Sequence, residues 1–497
     1  MNPKMKTAVI LAGAAAALTL AAPVKAQVTA DALLDKLVQR GILSTNEAAG
    51  LKDESLTNNA GGTKFKVSNA IKSMELFGDL RFRYEYRGAQ FGPETTRARS
   101  YDAADRWRYA LRIGVRGDLT DDFYYGLRLE TSPNERSTWD TLGGTGTSPY
   151  YGPFSKSSYG LNIGLAYLGW RPASWLDVSI GRVPQPLFTT PMVWDSDYTP
   201  EGAVEKLKFT VGRADLFATM GQFVYEDVSP GTGNAIFGGS PGPGDNNAYM
   251  MEWQAGVNYN FSKDVTAKIA PVLYNYAGHG NSSTGLYGPF VGQGEPNGLQ
   301  FTNLAASSSS LPGTVSGSYN QTGINNLFVL ELPAEVNFKL GSLDAKAFGD
   351  FGLNLEGDQR AWAAYNAAPA AFHAGAQLGQ DKAYQFGMAV GNNIGLTGSS
   401  TPKKGTWEAR AYWQHVEQFA LDPNLLDSDF FEGRGNMEGL YAALAYSISD
   451  AIIATVRYGW AERIDKNLGT GGYNADLPLP NPVNKYQIVQ VDVTWKF

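Results

Sequence analysis

Arginines stand on alternate positions in two early segments, Arg81, Arg83 and Arg87 in the first and Arg106, Arg108, Arg112 and Arg116 in the second. A guanidinium stays charged at every biological pH and presents a rigid fork of donors to carboxylates or phosphates. A row of them on one face of an element makes a cationic wall, which orders water and draws in polar or charged solutes. Acids able to face such a wall occur in the segment 183–202, as Asp195, Asp197 and Glu201; Pro184, Pro186 and Pro191 stiffen that segment.

Side chains for covalent or metal chemistry are scarce. There is no cysteine, which excludes thiolate catalysis, disulfides and cysteine-ligated metals. The three histidines, His279, His373 and His415, belong to no metal or nucleophile motif. The adjacent acids Asp121 and Asp122 fit a turn. No catalytic residue, cofactor site or metal site is therefore assigned, and an enzyme is the weaker rival reading, to be detected by Ser- or His-dependent lipid hydrolysis. A formal charge of −7 gives no overall attraction for nucleic-acid phosphates.

The elements that position the arginines follow from periodicity. From Leu76 onward, apolar and polar residues alternate largely to the end of the chain. Leu80, Phe82, Tyr84 and Tyr86 interleave with Asp79, Arg81, Arg83 and Glu85; Trp107, Tyr109, Leu111 and Ile113 interleave with Arg106, Arg108 and Arg112. Successive side chains of a strand point to opposite faces, so one face is apolar and the other cationic. A soluble sheet also alternates. In a membrane, however, an arginine turned to lipid near the midplane costs roughly 2–4 kcal/mol, so Arg81, Arg83, Arg108, Arg112, Arg116 and Arg128 must line a wet interior. A barrel of about sixteen strands has such a lumen, whereas one of about eight is filled by side chains.

Sixteen candidate strands can be placed, from 75–87, 106–118 and 122–132 to 437–448, 451–462 and 485–497. Counts of eighteen or fourteen stay open, because 160–182 and 342–394 are weakly patterned. Long connections follow the odd strands, at 88–105, 133–159, 183–202, 226–247, 277–326, 354–381, 418–436 and 463–484, while short links such as Leu119-Thr120-Asp121 and Ser449-Asp450 follow the even ones. Only 395–404 breaks the pattern. Outer-membrane barrels show this parity and a sandwich has no reason to. The expected fold is all-β, a transmembrane antiparallel β-barrel over 73–497, with His415 facing the lumen in the thirteenth strand.

The two ends carry addresses. Residues 1–26 combine Lys4 and Lys6, an apolar stretch from Ala8 to Ala22 and the Val24-Lys25-Ala26 cleavage site of an export signal, cut after Ala26. Leu33, Leu34, Leu37 and Val38 at helical spacing, followed by Ser44-Thr45-Asn46-Glu47 in the form of a capping box, predict a short periplasmic helical segment over 27–52. That segment is read as a spacer packed on itself, with self-association or a cell-wall (peptidoglycan) tether as alternatives. Residues 53–72 read as a linker. At the other end Val493, Trp495 and Phe497 alternate with Asp492, Thr494 and Lys496.

The whole chain resembles the porins of Gram-negative outer membranes that carry a short helical segment ahead of a general-porin-like barrel. The residues that carry the resemblance are Leu34 to Leu51 with Gly41-Ile42-Leu43-Ser44 at the turn, Gly78-Asp79-Leu80-Arg81-Phe82-Arg83, Gly181-Arg182, Trp194-Asp195-Ser196-Asp197 with Glu201-Gly202, and the terminal Phe497. The resemblance implies a homotrimeric channel for small hydrophilic solutes in outer-membrane lipid. It implies insertion by the barrel assembly machinery, which reads Val493, Trp495 and Phe497, and a third extracellular loop that folds into the lumen. The expected constriction sets Asp195, Asp197 and Glu201 against the arginine wall; a narrowing made by the 277–326 loop is the alternative. A protein that mainly tethers membrane to wall is the rival from another class.

Overall fold

The computed structural model describes residues 68–91, 101–132, 137–143, 160–226, 247–278, 324, 326–367, 378–398, 400–466, 468, 470 and 483–497. The export signal, the 27–52 helices, His279, His373 and nearly all of the 277–326 loop lie outside them. The barrel unit is Ala70–Phe497.

Its first half contains β1 (Glu75–Phe91), β2 (Tyr101–Asp118), β3 (Phe123–Thr131), β4 (Leu161–Ala173), β5 (Leu176–Arg182), β6 (Glu201–Val211), β7 (Ala214–Glu226) and β8 (Ala248–Asn260). Two interrupted strands follow, β9 (Thr266–Ile269 and Val272–Gly278) and β10 (Phe328–Glu331 and Ala334–Leu340). The rest are β11 (Leu343–Asn354), β12 (Lys382–Gly391), β13 (Trp407–Val416), β14 (Met437–Ser447), β15 (Ile452–Arg463) and β16 (Val483–Lys496). Each strand pairs antiparallel with the next, and β16 returns to β1, which closes the sheet and leaves no edge. Closure sets the first segment beside the last, with Arg83 opposite Asp492 and Leu80 opposite Trp495. At this seam Gly78 exchanges backbone hydrogen bonds with Phe497, 2.9 and 3.1 Å. A Cβ at Gly78 would stand 2.2 Å from the Arg112 carbonyl and 2.7 Å from the Phe497 ring, so only glycine fits.

The strand positions expected from alternation agree with the sixteen-strand barrel, and the long and short connections alternate in the expected order. The hairpin of β1 and β2 reaches further than expected, to Phe91 and back from Tyr101. Outer faces carry large apolar groups: Phe82 is 47 % exposed, Ile163 53 % and Phe386 58 %, a belt that suits lipid and would be untenable in water. Asp121 and Asp122 adopt φ of 59° and 62° in the β2–β3 turn, the left-handed geometry that a tight hairpin demands.

Two prolines interrupt neighbouring strands at one level. Pro271 and Pro333 cannot donate to the ladder. The gap is bridged in part by the Ala270 N–H, which donates to the Pro333 carbonyl (3.2 Å), while the Gln254 side chain on β8 donates to the Ala270 carbonyl (3.1 Å). That places a buried amide on the lumen wall where a loop can dock.

One expectation is overturned. His415 lies on the outer face of β13: lumen-facing Tyr412, Gln414 and Val416 are buried, whereas His415 has the opposite parity. It stacks on Tyr384 with ring centroids 4.6 Å apart and bonds Glu438 at 2.8 Å. The parity of Trp407 and Trp413 already carried this information.

Candidate functional site

The lumen is crossed by the third long connection, residues 183–200. It leaves β5 at Gly181, whose φ of 122° and absent Cβ let the chain turn inward; a Cβ there would meet the Ala166 carbonyl at 2.2 Å. The loop first docks on the wall made by β8 to β11. The Phe188 N–H donates to Gln254 (2.9 Å), the Gln254 amide donates to the Phe188 carbonyl (2.8 Å), Thr189 donates to Glu331 (2.7 Å) and Thr190 donates to Asp350. It then returns across the lumen to β2, where Asp197 is ion-paired with Arg112. Fastened on both walls, the loop is a strap.

A second loop, 417–436, also enters the barrel, and its residues from Gln418 to Leu426 are buried. Asp429 at its innermost part accepts from Arg83 (2.8 Å) and Gln490 (3.0 Å), while Arg87 donates to the Ser428 carbonyl (2.9 Å). The two loops hold each other. The Asp195 N–H donates to the Leu425 carbonyl (2.7 Å), and the Asp195 carboxylate accepts from the Ser428 N–H (3.2 Å).

Between these loops and the β1–β2 and β15–β16 walls lies an open cavity of about 540 Å³, the candidate passage. Arg81, Arg83 and Arg112 line it from one side; Asp195, Asp197, Asp427 and Asp429 line it from the loops. Thr455, Arg457, Asp492 and Lys496 complete the wall. Most charges are already paired: Arg81 with Asp79 (3.2 Å through Nη2), Arg83 with Asp492 (2.8 Å), and Arg457 with Asp492. Burial in the barrel and the adjacent Asp429 push the Asp427 carboxyl up to about 7. Burial, Asp427 and Asp197 raise Asp195 well above the usual carboxylate range. Burial would raise Asp429 too, but Arg83 and Arg87 hold it low. The lining thus mixes fixed charges with one acid, Asp427, that titrates near neutrality.

The residues singled out from sequence separate into two groups. Arg81, Arg83, Arg112, Asp195 and Asp197 meet at the passage. Arg108 is buried elsewhere against the Trp139 carbonyl (2.9 Å), Arg128 pairs with Glu130 (2.7 Å), and Arg116 pairs with Glu75 (2.7 Å) at the periplasmic end, half exposed. Glu201 does not join the loop acids: it opens β6 and pairs with Arg182 (2.6 Å). Asp427 and Asp429 were missed, because a loop without period gives no indication that it folds inward. Asp492, Arg457 and Lys496 had the lumen-facing parity of their strands.

A family model described as "Putative porin" matches residues 89–497. The chain belongs to this porin family. Family and closed barrel together make it a diffusion channel of the bacterial outer membrane. Among solved structures, an anion-selective porin from Comamonas acidovorans is similar at 11 % identity, covering 86 % of this porin and 99 % of that chain, with a TM-score of 0.41. A multiply substituted Rh. blastica porin is similar at 9 % identity over 86 % and 100 %, with a TM-score of 0.36. No protein among the curated sequences matches.

The porin's terminal residues Val493, Trp495 and Phe497 are 42 %, 48 % and 40 % exposed on the outer face, and Trp495 and Phe497 touch, with centroids 5.0 Å apart. They present one apolar edge at the periplasmic rim.

Proposed function

We propose that this porin passes small hydrophilic solutes passively along the passage between the third and seventh extracellular loops and the arginine-bearing wall of β1 and β2. The observation that supports this reading most directly is the lining of the passage, with Arg81, Arg83 and Arg112 on the wall and Asp197, Asp427 and Asp429 on the two loops. Charges of opposite sign across a narrow wet lumen make a transverse field, which favours polar solutes that can align in it over apolar ones. Arg81, Arg83 and Arg112 form the cationic side and Asp197 and Asp429 the acidic side, to which Asp427 adds its charge above about pH 7. The strap's double anchorage suits a fixed narrowing rather than a gate.

The deciding experiment is single-channel recording of the refolded protein in planar bilayers, followed by reversal potentials in a KCl gradient for wild type and Arg112→Ala. Steady ohmic steps whose reversal potential moves in the variant support the route; an inserted barrel with no conductance overturns it. Removal of residues 1–26 on export, homotrimer assembly and recognition of Val493, Trp495 and Phe497 by the assembly machinery belong to the same proposal. Crosslinking in native membranes and Phe497→Ala insertion yields test the last two.

A further inference from the structure

The periplasmic connection 392–406, between β12 and β13, is long where the other described periplasmic links are short, and it turns back into the barrel. Leu396 is only 1 % exposed, packed against the lumen-facing Ala445 and Ile453. Three strands grip the backbone that follows it. Glu408 on β13 accepts from the Thr397 N–H (3.1 Å) and hydroxyl (3.2 Å), and Arg457 on β15 donates to the Thr397 carbonyl (3.4 Å). Lys496 on β16 donates to the carbonyls of Gly398 (3.0 Å) and Ser400 (3.1 Å). The turn also braces itself: the Ser400 hydroxyl donates to the Ile394 carbonyl (2.7 Å), and the N–H groups of Gly398 and Ser400 donate to the Gly395 carbonyl (2.9 and 3.0 Å). Leu396, Thr397 and Gly398 line the same passage as Arg81 and Asp197.

We infer that this turn is a second, periplasmic narrowing in series with the loop constriction, and that Leu396, Thr397 and Gly398 set the size limit at the inner end of the route. The inference rests on the diffusion route proposed above. An exposed tight turn would need two residues; this one buries a leucine and engages Glu408, Arg457 and Lys496, residues that strand geometry alone does not require. Resistances in series add, so an element at one end of a narrow path limits current even when the other end is untouched.

The chain has no cysteine, so Gly398→Cys introduces a single thiol on the lining. A Cβ there meets nothing closer than the Gly395 carbonyl at 3.8 Å, so the side chain fits. A trimethylammonium methanethiosulfonate reagent added from the periplasmic side should roughly halve the conductance of Gly398→Cys by filling the path. The same reagent should leave Lys263→Cys, in the short β8–β9 turn, unchanged. Replacing 394–403 by Asn-Gly should act in the opposite direction, raising conductance and admitting larger sugars in liposome swelling. Conductance indifferent both to the reagent at position 398 and to the deletion overturns this inference and leaves the diffusion route standing. Silence of the inserted wild-type barrel overturns the route itself.

Discussion

Arg83 on the first strand grips Asp492 on the last with two parallel hydrogen bonds, Nε to Oδ1 at 2.8 Å and Nη2 to Oδ2 at 3.0 Å, and extends its third nitrogen to Asp429 in the seventh loop at 2.8 Å. One guanidinium therefore ties the barrel's seam to a loop that enters its lumen. Arg83 is 2 % exposed, so its removal leaves two carboxylates without their principal cation in a poorly solvated place. Arg83→Ala should cost about 3 kcal/mol, the low end of the range for breaking a buried pair from one side, because Arg457 still pairs with Asp492 and Arg87 still faces Asp429. The expected outcome is unfolding of the barrel at a lower temperature in detergent gels, with Arg83→Lys intermediate because lysine cannot form the fork. An unchanged transition would show that the seam is held by its backbone ladder alone.

The pair Arg112 and Asp197 gives a prediction with two opposite arms. Arg112→Ala exposes the acid to the passage and should move the reversal potential toward cation selectivity; Asp197→Asn exposes the arginine and should move it toward anions. Shifts of the same sign in both variants would place the selective point elsewhere.

Asp427 makes selectivity depend on pH. Its carboxyl titrates at about 7, so it is neutral below that pH and charged above it. Raising pH from about 6 to about 8 should therefore add cation preference, and Asp427→Asn should abolish the change. The stability sign is the reverse of the usual acid case. The folded protein holds this proton more tightly than the unfolded chain does. The contribution to loop packing is thus fully present below the ordinary carboxyl range and is lost as pH rises through about 7. Reversal potentials measured at both pH values for wild type and variant settle the point.

The strap's far anchor is testable without touching the passage. Thr190→Val removes the hydroxyl that donates to Asp350 while keeping the shape of the side chain. A buried acceptor left without its donor costs about 1–3 kcal/mol, enough to loosen one end of the loop. Open-channel current should become noisier, with added substates, while mean selectivity stays where Arg112 and Asp197 set it. Quiet steps indistinguishable from wild type would mean that Gln254 and Glu331 suffice to hold the strap.

Much of this molecule is legible in its sequence because a strand's period is two and lipid penalises a charged outer face. Those facts place Arg81, Arg83 and Arg112 inward, set Val493, Trp495 and Phe497 outward, and locate the strands, with eighteen or fourteen left open beside sixteen, and the parity of their connections. What alternation cannot express is where an aperiodic segment goes once the wall exists. The inward course of Asp427 and Asp429 depends on Arg83 and Arg87, hundreds of positions away in the chain, and that of Leu396 depends on a pocket beside Ala445 and Ile453. Asp195 reaches Ser428 for the same reason, across 233 positions. Local pattern therefore determined the cylinder and the faces of its strands. The passage was decided by tertiary structure, because its loops lie where partners from distant strands satisfy their buried polar groups.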